Sequence, residues 1–185
     1  MEIRHLHPAR YVRGFTLLEL MITLSVALIV LMWVIPSFAQ LLASTRITTA
    51  INEFLTDIHL ARNETIKRGK RVAICPSGDG STCLTSRGWP QGWIVFVDDN
   101  EDNNHNPAEE ILRVHGELPS QMSINPGRRA RVAYAPDGTL AGGFNGTYEF
   151  CDSNKAATPK AIIISLVGRP RVSLKRSDGT PLHCP

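Results

Sequence analysis

Near its C-terminal end the chain reads Gly168-Arg169-Pro170-Arg171-Val172-Ser173-Leu174-Lys175-Arg176. Guanidinium forks match the paired oxygens of phosphates and carboxylates, so the chemistry on offer is anion capture. Side chains of an extended strand alternate between faces. Arg169, Arg171, Ser173 and Lys175 then share a cationic face, while Pro170, Val172 and Leu174 share one that can pack on a core. Pro170 has no N–H to give to a ladder, which places the segment at a sheet edge or strand entry. From residue 155 onward Lys155, Lys160, Arg169, Arg171, Lys175 and Arg176 are opposed only by Asp178, the footprint of polyanion binding. No base-reading helix or zinc finger accompanies it. Contacts would therefore go to phosphates, be indifferent to base sequence and weaken with salt. A solvated basic face, or one meeting acidic neighbours, is the plain alternative. Arg128, Arg129 and Arg131 form a second basic group that could extend the surface.

Other residues invite other chemistry. Asp98, Asn100, Asp102 and Glu109 are oxygen donors at spacings like those of a calcium loop. Asn103 stands where such a loop needs glycine, and a strand rather than a helix leads in, so a polar hairpin loop is the rival reading. Cys75, Cys83, Cys151 and Cys184 allow three pairings. Local spacing favours Cys75 with Cys83 around a Pro-Ser-Gly-Asp-Gly loop, leaving Cys151 with Cys184 to tie down the tail. Zinc spacing is absent. His5, His7, His59, His105, His115 and His183 form no metal-ligand pattern, with His59 expected partly buried. No GxSxG elbow, HExxH or phosphate-binding loop occurs. The chain reads as a non-enzyme that calls for no cofactor.

One carboxylate, Glu19, interrupts an apolar run from Phe15 to Ala39. The run is long enough to cross a bilayer, and an ionised group inside such a helix is costly and usually functional. Gly14 precedes the run, whereas a secretory signal has its small-residue cleavage site after it. Cleavage after Gly14 would leave the apolar helix on the product. Arg4, Arg10 and Arg13 before the run favour a cytoplasmic amino terminus, with the remainder outside, where disulfides persist.

Elements must carry these residues. With 185 residues, 43% of them hydrophobic, the chain can hold one packed domain plus an anchor. Net charge is +3, so the distribution of charge says more than its sum. Ile47, Ile51, Phe54, Leu55, Ile58 and Ala61 recur at helical spacing, with Arg46, Asn52, Asp57, Arg62 and Lys67 elsewhere. One helix is expected over 15–68, kinked at Pro36 and stopped at Gly69. Strands are expected at 71–75, 92–97, 111–114, 129–134, 147–151, 161–167 and 171–175. The fold class is α+β, a long N-terminal helix packed on antiparallel sheet. Its segments are a leader (1–14), a membrane and assembly helix (15–39), an amphipathic continuation (40–68) and a β-rich domain (69–185). Trp89 and Trp93 are expected in the core.

The run Gly14-Phe15-Thr16-Leu17-Leu18-Glu19 resembles the type IV pilin and pseudopilin leader. The resemblance implies cleavage after Gly14 by a prepilin peptidase, methylation of the new terminal Phe15, and pairing of Glu19 with a neighbouring subunit's terminal amine. The run Cys75-Pro76-Ser77-Gly78-Asp79-Gly80, then Cys83, Trp89, Gly92-Trp93-Ile94-Val95-Phe96-Val97-Asp98 and Asn100, resembles the GspH/FimT family of minor pilins and pseudopilins. Gly168-Arg169-Pro170-Arg171 is similar to the GRxR motif of the family's DNA-binding FimT-type members, which take up DNA in natural transformation. By that resemblance Arg169 and Arg171 bind DNA, with Lys175 and Arg176 as helpers. Implied partners are other pilins, the peptidase, DNA and the inner membrane, with the domain in the periplasm and then on the pilus. A structural subunit that primes pilus assembly, or a type II secretion pseudopilin, would share the leader without the DNA role.

Overall fold

The computed structural model describes residues 14–85, 88–127, 131–142 and 146–184. The chain divides into two units, residues 1–38 and 39–185. One helix, α1 (Leu17–Arg68), is assigned through both and continues through Pro36. Thr16 starts it: its Oγ1 accepts the Glu19 N–H at 3.2 Å, the N-cap half of a Thr-x-x-Glu start signal. Gly69, in the left-handed region at φ +64°, ends it by donating its N–H to the Thr65 carbonyl. In the first unit the helix is apolar and unburied. A window of 18 residues has mean hydropathy 2.5, enough to cross a membrane by length and composition.

In the second unit the helix turns one-sided. Ile47, Ile51, Phe54, Ile58 and Ala61 are buried, as the spacing requires. Asp57 is buried too, against expectation, whereas His59 is exposed. Asp57 accepts a hydrogen bond from Trp93 Nε1 at 2.7 Å and pairs with Arg113 at 2.9 Å, which offsets the cost of taking a carboxylate out of water.

Two four-stranded antiparallel sheets complete the unit. The first runs β3-β2-β1-β5, with β1 Val72–Pro76, β2 Trp93–Val97, β3 Ile111–His115 and β5 Val132–Tyr134. The second runs β4-β6-β7-β8, with β4 Met122–Asn125, β6 Gly146–Asp152, β7 Lys160–Ile164 and β8 Pro170–Ser173. Alternate residues of both sheets join the helix stripe in one core. Phe54 is central, its ring 5.2–5.9 Å from those of Trp89, Trp93, Tyr148 and Phe150. Both tryptophans are fully buried core residues. The other face of the first sheet is also covered, with Ala73, Cys75, Ile94, Phe96 and Ala133 clustered beneath Cys83.

Strand β4 has no counterpart among the expected strands. The strand expected to reach 167 stops at Ile164, because residues 165–168 make a turn. The strand expected from 171 begins at Pro170 instead.

A cationic edge as candidate functional site

The turn between β7 and β8 sets the start of the basic segment. The Ser165 N–H bonds the Arg169 carbonyl at 3.0 Å, and the Gly168 N–H bonds the Ser165 carbonyl at 2.8 Å. Gly168 has φ +76°, and a Cβ there would lie 2.3 Å from the Gly138 carbonyl oxygen and 2.8 Å from the Tyr134 ring. Only glycine fits that conformation and that gap. The Tyr134 hydroxyl donates to the Gly168 carbonyl at 3.1 Å, so a buried phenol holds the residue from which Arg169 departs.

Strand β8 is the last strand of its sheet, as Pro170 requires, pairing with β7 in the register Ile164↔Pro170, Ile163↔Arg171, Ile162↔Val172 and Ala161↔Ser173. Arg169, Arg171 and Lys175 are exposed. Among the described residues their charged ends meet no carboxylate and no hydrogen-bond partner. The shared face is shorter than expected. Strand geometry covers only Arg171 and Ser173, since Arg169 leaves from the turn and Lys175 lies past the strand in an isolated bridge to Pro181. The opposite face does not pack on a core: Val172 is 46% and Leu174 63% exposed. Core packing ends at Ile162 and Ile164 of β7, one strand short of them.

Arg176 belongs to the fold instead. Its Nε and Nη2 reach the two oxygens of Glu149 at 2.5 and 3.2 Å, and that carboxylate is 2% exposed. The hydrogen bond to Glu149, then its charge, raises the Arg176 pKa. The outward set is therefore Arg169, Arg171 and Lys175. Arg131, of the second basic group, donates to Asn104, while Arg128 and Arg129 lie outside the described residues.

In the acidic loop the carboxylates turn to partners within the protein. Asp98 is buried and faces Arg71 at 3.3 Å, and burial is the largest influence, raising its pKa. Glu109 accepts the backbone N–H groups of Asp99 and Asn106. Asn100 donates to Asp102, which also accepts the Asn104 N–H. Among the described residues no three Asp, Glu, His or Cys side chains converge as metal ligands. The disulfides join Cys75 to Cys83 and Cys151 to Cys184, the pairing that local spacing favours. Gly14, Phe15 and Glu19 are exposed residues of the first unit.

Sequence reasoning missed Glu149. The available signal was a carboxylate alternating with Tyr148 and Phe150, on the face it shares with Cys151.

Comparison with known families matches residues 50–168 to the family described as type II transport protein GspH. Residues 9–35 match the prokaryotic N-terminal methylation motif. No curated protein matches. Two crystal structures of the type IV minor pilin FimU of Pseudomonas aeruginosa (strain PAO1) share the fold at 19% identity. One has TM-score 0.54 over 68% of this chain and 91% of the other; the second has 0.56 over 76% and 96%. With the family region spanning most of the second unit and the methylation motif covering Gly14 to Glu19, the chain belongs to the GspH family and is a minor pilin or pseudopilin of the GspH/FimT type.

Proposed function

We propose that this subunit is cut after Gly14, methylated on Phe15, anchored in the inner membrane and built into a type IV pilus, where Arg169, Arg171 and Lys175 hold DNA for uptake in natural transformation. The observation that carries the DNA reading is the pair of exposed guanidinium groups at a sheet edge with no carboxylate of the described residues against them. Arginine has no neutral state at physiological pH, so these charges await an external anion. The methylation motif supports the processing and assembly roles of Gly14, Phe15 and Glu19. Contacts confined to phosphates make binding independent of base sequence.

The test is a gel shift with residues 39–185, a unit that contains every buried core residue from Ala43 onward. Arg169→Gln and Arg171→Gln should each weaken binding to unrelated duplexes alike, by roughly fivefold at physiological salt, the worth of one released counterion. Unchanged affinity in folded variants would overturn the reading. The family's description favours a second one, a secretion pseudopilin that binds no DNA. A chain that never shifts DNA would leave that one standing.

A further inference from the structure

Glu149 and Cys151 alternate with Tyr148 and Phe150 along β6, so they point away from the main core. Both are nevertheless buried. The C-terminal tail reaches them there. Arg176 grips Glu149, to which Asn125 also donates at 3.1 Å, and Cys184 is bonded to Cys151. Between these anchors the tail makes its own tight turn. The Gly179 N–H bonds the Arg176 carbonyl and the Arg176 N–H bonds the Thr180 carbonyl. Asp178 accepts both the N–H and the hydroxyl of Thr180, at 2.9 and 2.6 Å. The tail is thus a strap fastened at two points, two residues apart, on one face of β6.

We propose that this strap positions the cationic edge, with Glu149, Arg176 and the Cys151–Cys184 bond as positioning residues that fix where Lys175 stands relative to Arg171; the inference rests on the DNA reading above. By register, Arg171 and Ser173 lie on the same face of the sheet as Glu149. The Lys175 backbone is held from both sides. The Ser173 hydroxyl donates to its carbonyl at 2.7 Å and accepts its N–H at 3.2 Å, while Arg176, the next residue, is anchored. A lysine on a free tail would lose conformational entropy on binding that a strapped one has already lost.

Positioning and simple charge give opposite signs for one substitution. Glu149→Gln removes a buried negative charge and releases Arg176. If charge alone governs binding, DNA affinity rises. If the strap governs it, affinity falls although the protein has become more positive. The experiment is a salt titration of duplex binding by the full chain in neutral detergent. Glu149→Gln should lose roughly fivefold at physiological salt, with a salt slope shallower by about one phosphate contact. Cys151→Ser with Cys184→Ser keeps every charge and should show the same loss; it carries the test should Glu149→Gln fail to fold. Folded variants that bind as well as or better than the unaltered chain would overturn the strap while leaving the DNA reading intact. Failure of the unaltered chain to bind would overturn the DNA reading, and this inference with it.

Discussion

Among the described residues, three arginines each meet a buried carboxylate: Arg71 with Asp98, Arg113 with Asp57, and Arg176 with Glu149. Leaving a buried charge unpaired is expensive, so those guanidinium groups are committed to the fold. Among the described residues Arg169 and Arg171 have no such partner. Asp57 shows the structural kind of pairing most plainly, since it also takes the indole proton of the buried Trp93. Asp57→Ala should destabilise the 39–185 unit by about 2–3 kcal/mol in urea unfolding, less than for a sealed pair because Arg113 is half in water. Asp79 makes a different case. Hydrogen bonds from the Thr82 hydroxyl and from the Ser81 and Thr82 amides hold its pKa well below the ordinary value. The unfolded chain therefore takes up this proton first, near pH ~4, and the stabilisation is present above that pH and lost as pH falls through the lower folded value. The melting advantage of the native chain over Asp79→Ala should shrink as pH drops below about 4, in thermal melts of both across pH.

At the scale of elements, the sequence was most readable where one physical demand dominated. The stripe from Ile47 to Ala61 became the buried face of α1, Gly69 ended it, and Pro170 put β8 at an edge. Each follows from a local rule about periodicity, left-handed backbone or a missing donor. Legibility ended where partners come from far along the chain. Asp57 looked like a surface residue because its partners lie 36 and 56 residues away. Glu149 stayed hidden because the tail that covers it is 27 residues further on. β4, with Met122 and Ile124 buried, is short and bounded by Pro119 and Pro126, so its alternation gave a faint signal. The acidic run from Asp98 suggested calcium by spacing alone, yet Asp98 turns to Arg71 and Glu109 to backbone amides. Spacing fixes which donors can share a loop, not whether they point to one centre.

At the scale of the whole molecule, the chain joins two tasks with little common chemistry. Its first unit is an unburied apolar helix carrying Glu19, matched to the methylation motif. Its second is a helix-and-sheet unit with its own core and two disulfides. The proposed filament assembly rests on the first unit, and the proposed DNA contact rests on the β8 edge and tail of the second. The DNA contact can therefore be measured without a filament. The most direct measurement is the dependence of duplex affinity on salt concentration, comparing the native 39–185 unit with the folded double variant Arg169→Gln, Arg171→Gln. A slope shallower by about two phosphate contacts, with weaker binding to every duplex tried, is the expected result. An unchanged slope and affinity would contradict the account and leave this edge without a role in holding DNA.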